Sequence, residues 1–375
     1  MVFLISACTP TPKSLTDIDA TVEASLVNIP TPTPQIVIQE VKVDVEKLVE
    51  VELEAKKIEY PSTPLPKTTA TPRDDSLDST LNDDREQPIS DAKTTTSNSN
   101  FTITSALCED ETGPDCNKLR LGDDYHTTSI PTQKGYLYSC DETNPNAPGS
   151  IESKITWIDF IDNIWDFLKK PWLPEGTFRP ESGIYAETAS TEERQININN
   201  LPVDGKIGDW PMTNYPLLTE IDQNPSIPSS NQSEFTYPAS PSKASSPTCV
   251  SLGAIGVTKN GVVIFNAADG RGEDAVAREI VDVFGGHPAR ELYHYHFIPE
   301  RLDNEYLSDG HSGIVGYIND GFPIYGYRGE GGIEISNADL GLCHGHNHGK
   351  LGYHYHATLE YPYTVGCYMG NPISD

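Results

Sequence analysis

Positive charge is scarce in this chain, which has 26 lysines and arginines against 55 aspartates and glutamates, for a formal net charge of −29 at pH 7. Because phosphate binding needs a basic face, this balance argues strongly against nucleic acid as a partner and disfavours electrostatic attachment to anionic lipid. The acidic surplus is typical of a protein kept soluble in a salty medium. Attraction of cations towards a metal site is the alternative interpretation.

Several familiar motifs are missing as well. No apolar run in the sequence approaches the length of a membrane-spanning helix. The absence of Cys-x-x-Cys removes support for a thiolate zinc site or a thioredoxin-like redox pair. The sequence also lacks four common enzyme motifs: Gly-x-Ser-x-Gly, His-Glu-x-x-His, the phosphate-binding glycine loop and the dinucleotide fingerprint. The usual sequence evidence for a hydrolase, a kinase or a dehydrogenase is therefore absent.

The first hundred residues differ in texture from the rest. Residues 1–100 hold 17 acidic and 9 basic residues, no tryptophan, and many prolines, threonines and serines. Such a segment cannot bury enough apolar surface to offset its ordering entropy, so residues 9–100 are predicted to form a disordered acidic stalk. A single domain is expected over 101–375.

Leu4–Cys8 resembles the lipobox of bacterial lipoproteins, in which the cysteine is lipidated. Residues 1–8 are therefore interpreted as the remnant of a signal segment, with Cys8 as a lipid anchor and the protein exported to the cell envelope or secreted. The alternative is an ordinary mobile N-terminus that contains a cysteine by chance.

Apart from Cys8, the chain has an even number of cysteines, which an exported protein would oxidise to three disulfides. Six cysteines permit 15 pairings. Cys108 and Cys116 are the closest in sequence, which favours a local disulfide between them. A disulfide between Cys343 and Cys367 would close a hairpin around the second histidine motif. The six are Cys108, Cys116, Cys140, Cys249, Cys343 and Cys367.

From residue 101 onwards, short β-branched runs alternate with turn residues, which predicts a mostly β domain with one or two short helices. Strands are expected at Gln195–Ile198, Gly253–Thr258, Val262–Asn266 and Gly313–Ile318. Isoleucines at spacings of three predict a helix over 154–169, and a second helix is expected over Glu273–Phe284. Asn224–Thr248 is rich in proline, serine and asparagine and is interpreted as a long loop.

The most informative pattern is a doubled tetrapeptide, Tyr-His-Tyr-His, at Tyr293–His296 and again at Tyr353–His356. Nine of the ten histidines fall between His287 and His356. Because side chains alternate across a strand, both imidazoles of each tetrapeptide should share one face. Each copy follows a Gly/His turn, which indicates a weak internal repeat, and two such strands side by side would bring four imidazoles together.

Imidazole is the commonest protein ligand for zinc, copper, iron and nickel, and a metal site of copper or zinc is therefore expected. The predicted ligands are His287, His294, His296, His311, His354 and His356. Further ligands, or groups that orient them, are expected among Asp320, His344, His346 and His348, and carboxylates that could complete the site include Glu291, Glu300 and Asp309. The alternative is a packed aromatic layer in which each imidazole is hydrogen-bonded within the protein.

Two acidic turns have plainer interpretations. Asp320-Gly321 before an apolar run predicts a tight turn into a strand, with a site carboxylate as the alternative. The loop Asp269–Asp274 hints at calcium but lacks the EF-hand spacing, and is interpreted as a turn with an N-cap for the following helix.

At these residues the chain resembles the YHYH-domain proteins. The resemblance rests on both tetrapeptides and on segments around them, in order over about 250–372, with a weaker match back to about 130. Those segments are Asn260–Val262, Gly286–Pro288, Gly316–Gly326 and Tyr361–Cys367. It implies a secreted or membrane-anchored domain and specifies no reaction. At Gly341–Gly345 the chain departs from the family's Asp/Glu-Cys-Asn-Gly-like turn and adds a histidine.

Three functions remain open from the sequence. The first is an exported metal-binding protein that sequesters or presents a transition metal. The second is a metal-dependent enzyme, redox or hydrolytic, with an open coordination position. The third is a surface interaction domain in which the His/Tyr cluster is structural. Neither a protein partner nor an oligomeric state is predicted.

Overall fold

The computed structural model describes residues 93–94 and 106–373. The predicted anchor at Cys8 and nearly all of the predicted stalk lie outside the described residues. The fold is mostly β, as predicted, and the two α-helices among the described residues are single turns, α1 at Pro216–Thr219 and α2 at Ala275–Arg278. None of the helices in the described part is long and apolar enough to cross a membrane.

An eight-stranded sheet forms the centre of the fold, in the order β13-β14-β12-β11-β16-β17-β19-β18. Its strands are β11 (Ala254–Thr258), β12 (Val263–Phe265), β13 (Gly286–Ala289), β14 (Leu292–Tyr295), β16 (Ile314–Ile318), β17 (Pro323–Tyr325), β18 (Gly345–His348) and β19 (Gly352–His356).

Smaller sheets surround it. A three-stranded sheet joins β7 (Tyr185–Ala189), β8 (Glu193–Ile198) and β9 (Ser233–Pro238), and another joins β2 (Leu119–Arg120), β6 (Ile164–Trp165) and β5 (Ile158–Asp159). Three strand pairs complete the fold: β1 (Lys93–Thr94) with β15 (Glu305–Tyr306), β3 (His126–Thr127) with β4 (Leu137–Tyr138), and β10 (Lys243–Thr248) with β20 (Tyr368–Gly370).

The central sheet is an internal repeat. Strands β11 and β16 pair antiparallel at its middle, and each leads through a hairpin into β12 or β17. Each of those strands then pairs in parallel with a tetrapeptide strand, Ile264 opposite Tyr295 in one half and Ile324 opposite Tyr355 in the other. The repeat that the sequence indicated is therefore a structural one, with an offset of 60 residues at these positions.

Two glycines let the halves meet. A Cβ at Gly256 would lie 2.6 Å from the carbonyl oxygen of Tyr317, and one at Gly316 would lie 2.3 Å from that of Val257. Both glycines follow an irregularity in their strands. The central pair β11–β16 can therefore approach closely only because both side chains are missing.

The two faces of the central sheet pack differently. The tyrosines of both tetrapeptides lie in the main hydrophobic core. On the other face, Ile196 of β8 and Phe235 of β9 pack in a second cluster with Val257 and Val263. The histidines alternate with the tyrosines and so share the face that β7–β9 covers at its middle.

Three disulfides link the described residues, at Cys108–Cys116, Cys140–Cys249 and Cys343–Cys367. The local pair and the pair that clips the second motif were predicted, and both are confirmed. The four predicted strands are also present within one or two residues.

Three predictions of local structure need correction. The expected helix over 154–169 does not form: a one-turn 3-10 helix ends at Lys154, the hairpin β5–β6 follows, and Ile161 at the turn of that hairpin is 92% exposed. Only α2 forms within Glu273–Phe284. The predicted loop over Asn224–Thr248 contains β9 and β10. The loop Asp269–Asp274 does end in an N-cap, since the Asp274 carboxylate accepts a hydrogen bond from the amide of Ala277.

Candidate metal centres

Each tetrapeptide gathers its imidazoles on one face. The Nε2 atoms of His294 and His296 lie 3.1 Å apart, and those of His354 and His356 lie 3.2 Å apart. This is the arrangement that strand alternation predicts. The shared face predicted for the histidines is therefore confirmed.

Backbone carbonyls set the tautomers of the first pair. Nδ1 of His294 lies 3.2 Å from the carbonyl oxygen of Leu292, and Nδ1 of His296 contacts the carbonyl oxygen of Asn266. A carbonyl oxygen only accepts, so each ring donates from Nδ1 and presents an unprotonated Nε2. Two lone pairs that face each other at 3.1 Å repel unless a cation lies between them. Metal-ligating histidines are commonly held in this way by the partner of their other nitrogen.

The second pair is held by the equivalent carbonyls. Nδ1 of His354 lies 3.1 Å from the carbonyl oxygen of Gly352, and Nδ1 of His356 lies 2.7 Å from that of Gly326. Gly326 stands 60 residues after Asn266, so the repeat reproduces the backbone that orients the ring. Within each pair, the two unprotonated Nε2 atoms therefore face each other.

A third histidine completes what we call site A, made of His287, His294 and His296, whose candidate ligand atoms all lie within 4.8 Å of one another. His287 stands on β13 directly opposite His294. Both of its ring nitrogens are buried without a hydrogen-bond partner. A buried polar side chain with two orphaned nitrogens is costly in a folded protein unless a ligand satisfies them.

Glu279 reaches the same place. Its Oε2 atom lies 3.4 Å from Nε2 of His287 and 3.9 Å from Nε2 of His296. Donors around a tetrahedral ion with zinc-like bond lengths lie about 3.3 Å from one another. The carboxylate is therefore spaced like a donor relative to His287, but it lies outside the group whose ligand atoms are all within 4.8 Å of one another. Burial raises the pKa of Glu279 well above its ordinary value, a cost that a cation at the site would offset.

Site B, as we call the second group, contains four histidines: His311, His346, His354 and His356. His346 stands opposite His354 on β18, as His287 does opposite His294. Nδ1 of His311 lies 2.7 Å from the carbonyl oxygen of Ser312. The Nε2 atoms of His311 and His346 are buried and have no hydrogen-bond partner.

The imidazoles of both sites are in the neutral form that binds metals. Burial is the main cause that lowers the pKa of every one of the seven histidines. The pKa falls to about 4 for His296 and to about 3 for His354. Near neutral pH no proton has to be displaced from these rings before a cation is bound.

The structure divides the six predicted ligands into two groups. Strands β14 and β19 are not neighbours, because four strands lie between them in the sheet. At the usual strand spacing this places them about 24 Å apart. The expectation that the two tetrapeptides meet at one four-imidazole cluster was therefore wrong. Each finds its remaining donors within its own half of the sheet or beside it.

The other predicted residues take different places. His344 lies outside both sites, with Nδ1 2.8 Å from the carbonyl oxygen of Thr364 and Nε2 3.0 Å from Oγ1 of Thr358. His348 lies beside site B, its ring centroid 5.3 Å from that of His311. Its Nε2 atom is 4.0 Å from the Asp309 carboxylate.

Asp320 lies on the tyrosine side of the sheet and is not a member of either site. Its Oδ2 atom accepts a hydrogen bond of 2.6 Å from the Tyr355 hydroxyl and one of 2.9 Å from the amide of Gly370. The turn predicted at Asp320-Gly321 is present, since Gly321 has a φ of 86° and β17 follows.

Glu279 was not predicted from the sequence, whereas His346 was named among the possible further ligands and belongs to site B. Glu279 follows the last residue of α2 and has no spacing relation to the histidines. Only the fold brings it to β13. The repeat explains why His346 joins site B, because Gly286-His287 and Gly345-His346 precede the two tetrapeptides at nearly equal distances.

Site A borders a cavity of about 600 Å³. Its three histidines and Glu279 all contribute to the wall. Phe265 lies across from them and stacks on His294 with ring centroids 3.9 Å apart. An ion bound by these donors would therefore face the cavity.

Comparison with known proteins gives one match. Residues 234–339 match the family described as YHYH protein. The matched segment contains all of site A together with His311, and it ends before the other three histidines of site B. No curated protein and no solved structure matches the chain.

Proposed function

We propose that this YHYH-domain protein is an exported metal-binding protein that holds two transition-metal ions, one at site A and one at site B. One observation carries the proposal. In each half of the sheet, backbone carbonyls hold two imidazoles as Nδ1–H tautomers, so that their Nε2 lone pairs converge at 3.1 or 3.2 Å. A cation bound between the two Nε2 lone pairs would remove their mutual repulsion and stabilise this geometry.

Copper and zinc are the ions that suit these donors best. Imidazole nitrogen binds both, and no thiolate is offered because the six described cysteines are paired. Site A adds a carboxylate, whereas site B offers imidazole alone. Either donor set can sequester a metal or present it to another molecule outside the cytoplasm.

Export is supported by the three disulfides, which persist in oxidising compartments and are rare in the reducing cytosol. A lipid anchor at Cys8 would hold the protein at a membrane surface, with the acidic segment as spacer. This part of the proposal rests on the lipobox-like sequence Leu4–Cys8 alone.

The test is elemental analysis of the purified chain after exposure to copper or zinc and removal of loosely held ions. We expect two ions per chain. The double variant His294→Ala/His296→Ala should retain one ion, and His354→Ala/His356→Ala should retain the other. Circular dichroism and unfolding curves identify any variant that has lost its fold.

His126 provides the matched control, because it is the one histidine outside the window that holds both sites. His126→Gln should leave two ions bound. A chain that binds neither metal and gains no stability from either would contradict the proposal. It would favour the alternative of an interaction domain with structural histidines.

A further inference from the structure

The two sites differ although the strands that carry them repeat. The pairs His287–His294 and His346–His354 occupy equivalent register positions in the two halves. The remaining donor is not equivalent. Site B gains the imidazole of His311 within 4.8 Å of its other donors, whereas site A has beside it only the carboxylate of Glu279, which contacts His287 and His296. The repeat therefore places three histidines equivalently in both sites, and the sites differ in the group that lies beside those three.

Site B has its coordination filled by the protein. Four imidazoles provide every position of a tetrahedral ion. His311, His354 and His356 have no exposed surface, and His346 is half-buried. The Tyr325 ring stands next to the group, with its centroid 5.0 Å from that of His311 and 4.6 Å from that of His354. An ion there would be surrounded by rings and would approach solvent only beside His346.

Site A has an open side. Glu279 approaches from the end of α2 and contacts His287 and His296, while all four donors line the same cavity. Only three imidazoles of site A have their ligand atoms within 4.8 Å of one another, so they leave one position of a tetrahedral ion unfilled when the carboxylate does not bind. The free position faces the cavity.

The wall of the cavity restricts what can enter. Asp222, Asp269 and Glu279 line it against a single cation, the exposed Arg290, and apolar contributions come from Phe265 and Leu252. Carboxylates around a metal repel a polyanion, whereas the electrostatic repulsion of a neutral or singly charged ligand is small. A cavity of about 600 Å³ is within the range of small-molecule sites.

From these contacts we infer that the ion at site A binds a small neutral or singly charged ligand through the cavity, while the ion at site B is closed to external ligands. This inference rests on the proposed function, since it requires metal at both places. It makes site A the reactive or exchanging centre and site B a structural one.

Cobalt(II) tests the inference, because its visible spectrum reports coordination number and geometry. The chain is loaded with cobalt and titrated with azide. In the intact chain we expect the spectrum of one of the two ions to change. In His354→Ala/His356→Ala, which retains site A, the whole spectrum should change; in His294→Ala/His296→Ala, which retains site B, it should not.

The route through the cavity is tested separately. Gln223 is exposed and lines the cavity, so Gln223→Trp should weaken azide binding at least tenfold without changing the cobalt content. The control Gln232→Trp places the same side chain at an exposed position that is not part of the cavity wall. It should leave azide binding unchanged.

The outcomes separate the two proposals. Cobalt bound at site A with a spectrum that azide does not change would overturn this inference and leave the proposed function standing. The same holds if site B responds as strongly as site A, or if Gln223→Trp has no effect. Failure of both sites to bind cobalt, copper or zinc would instead overturn the proposed function itself.

Discussion

The tyrosines of the second tetrapeptide allow a sharp test of the division between the two faces of the sheet. The Tyr355 hydroxyl donates a 2.6 Å hydrogen bond to the Asp320 carboxylate and accepts one of 2.8 Å from the amide of Met369. The side chain is fully buried. Tyr355→Phe therefore leaves a buried carboxylate short of one donor and a backbone amide without its partner.

The expected cost follows from those two bonds. A hydrogen bond to a charged group contributes about 1.5–3 kcal/mol, and an orphaned buried amide costs about 1–3 kcal/mol. Because Asp320 keeps its bonds from Gly370 and Phe322, we expect the lower part of the summed range. Urea unfolding of the metal-free chain should show a loss of about 2.5–4 kcal/mol. Metal content should not change, since the hydroxyl lies on the face opposite His354 and His356.

Tyr353→Phe is the matched control. Tyr353 belongs to the same tetrapeptide and the same face, but its hydroxyl is buried without a hydrogen-bond partner. Removing an unsatisfied polar group is expected to cost less than about 0.5 kcal/mol or to be slightly stabilising. Equal losses in the two variants would refute the reasoning, and so would a Tyr355→Phe chain that loses one metal ion while keeping its stability.

Three further predictions concern the disulfides, a buried carboxyl group and the effect of metal on stability. Opening Cys140–Cys249, which closes a loop of 109 residues, should cost more stability than opening Cys108–Cys116, which spans 8; chain entropy gives about 5 against about 2.5 kcal/mol, and equal losses in serine double variants would contradict it. Burial raises the pKa of Asp274 from 3.8 to about 7, so the folded chain keeps a proton that the unfolded chain releases in this window. Stability should therefore fall as pH rises from about 4 to 7, and Asp274→Asn should reduce that fall in unfolding curves; an unchanged slope would oppose the assignment. Zinc or copper at a hundredfold excess over its dissociation constant should stabilise the chain by about 2.7 kcal/mol for each intact site, measured as a shift in urea midpoint, and a shift that survives the loss of both sites would count against them.

Patterns of neighbouring residues predicted much of this structure, because interactions between residues close in sequence determine these features. Strand alternation placed the histidines of each tetrapeptide on one face, and short β-branched runs marked β8, β11, β12 and β16. The cysteine spacing suggested two of the three disulfides. Each of these inferences depends on residues that are close along the chain.

The failures have specific causes. Isoleucine spacing favoured a helix over 154–169, but the Asp159 carboxylate accepts hydrogen bonds from the amides of Ile161 and Asp162 and Asn163 has a φ of 52°, which turns the chain into a hairpin. Period alone did not reveal this competing turn.

The single predicted metal cluster became two for a different reason. Strand order in a sheet is set by pairing between distant segments, and nothing within Tyr293–His296 or Tyr353–His356 states that four strands separate them. Glu279 likewise reaches site A only through the tertiary fold, which places its carboxylate 3.4 Å from Nε2 of His287. Donors brought together by tertiary structure leave no mark in local spacing.

Anomalous diffraction from crystals of the zinc- or copper-loaded chain tests the central claim most directly. We expect two strong peaks roughly 24 Å apart along the sheet, one among His287, His294 and His296 and the other among His311, His346, His354 and His356. Histidine pairs that remain in contact through a shared proton, with the bound metal located only on surface carboxylates, would contradict it.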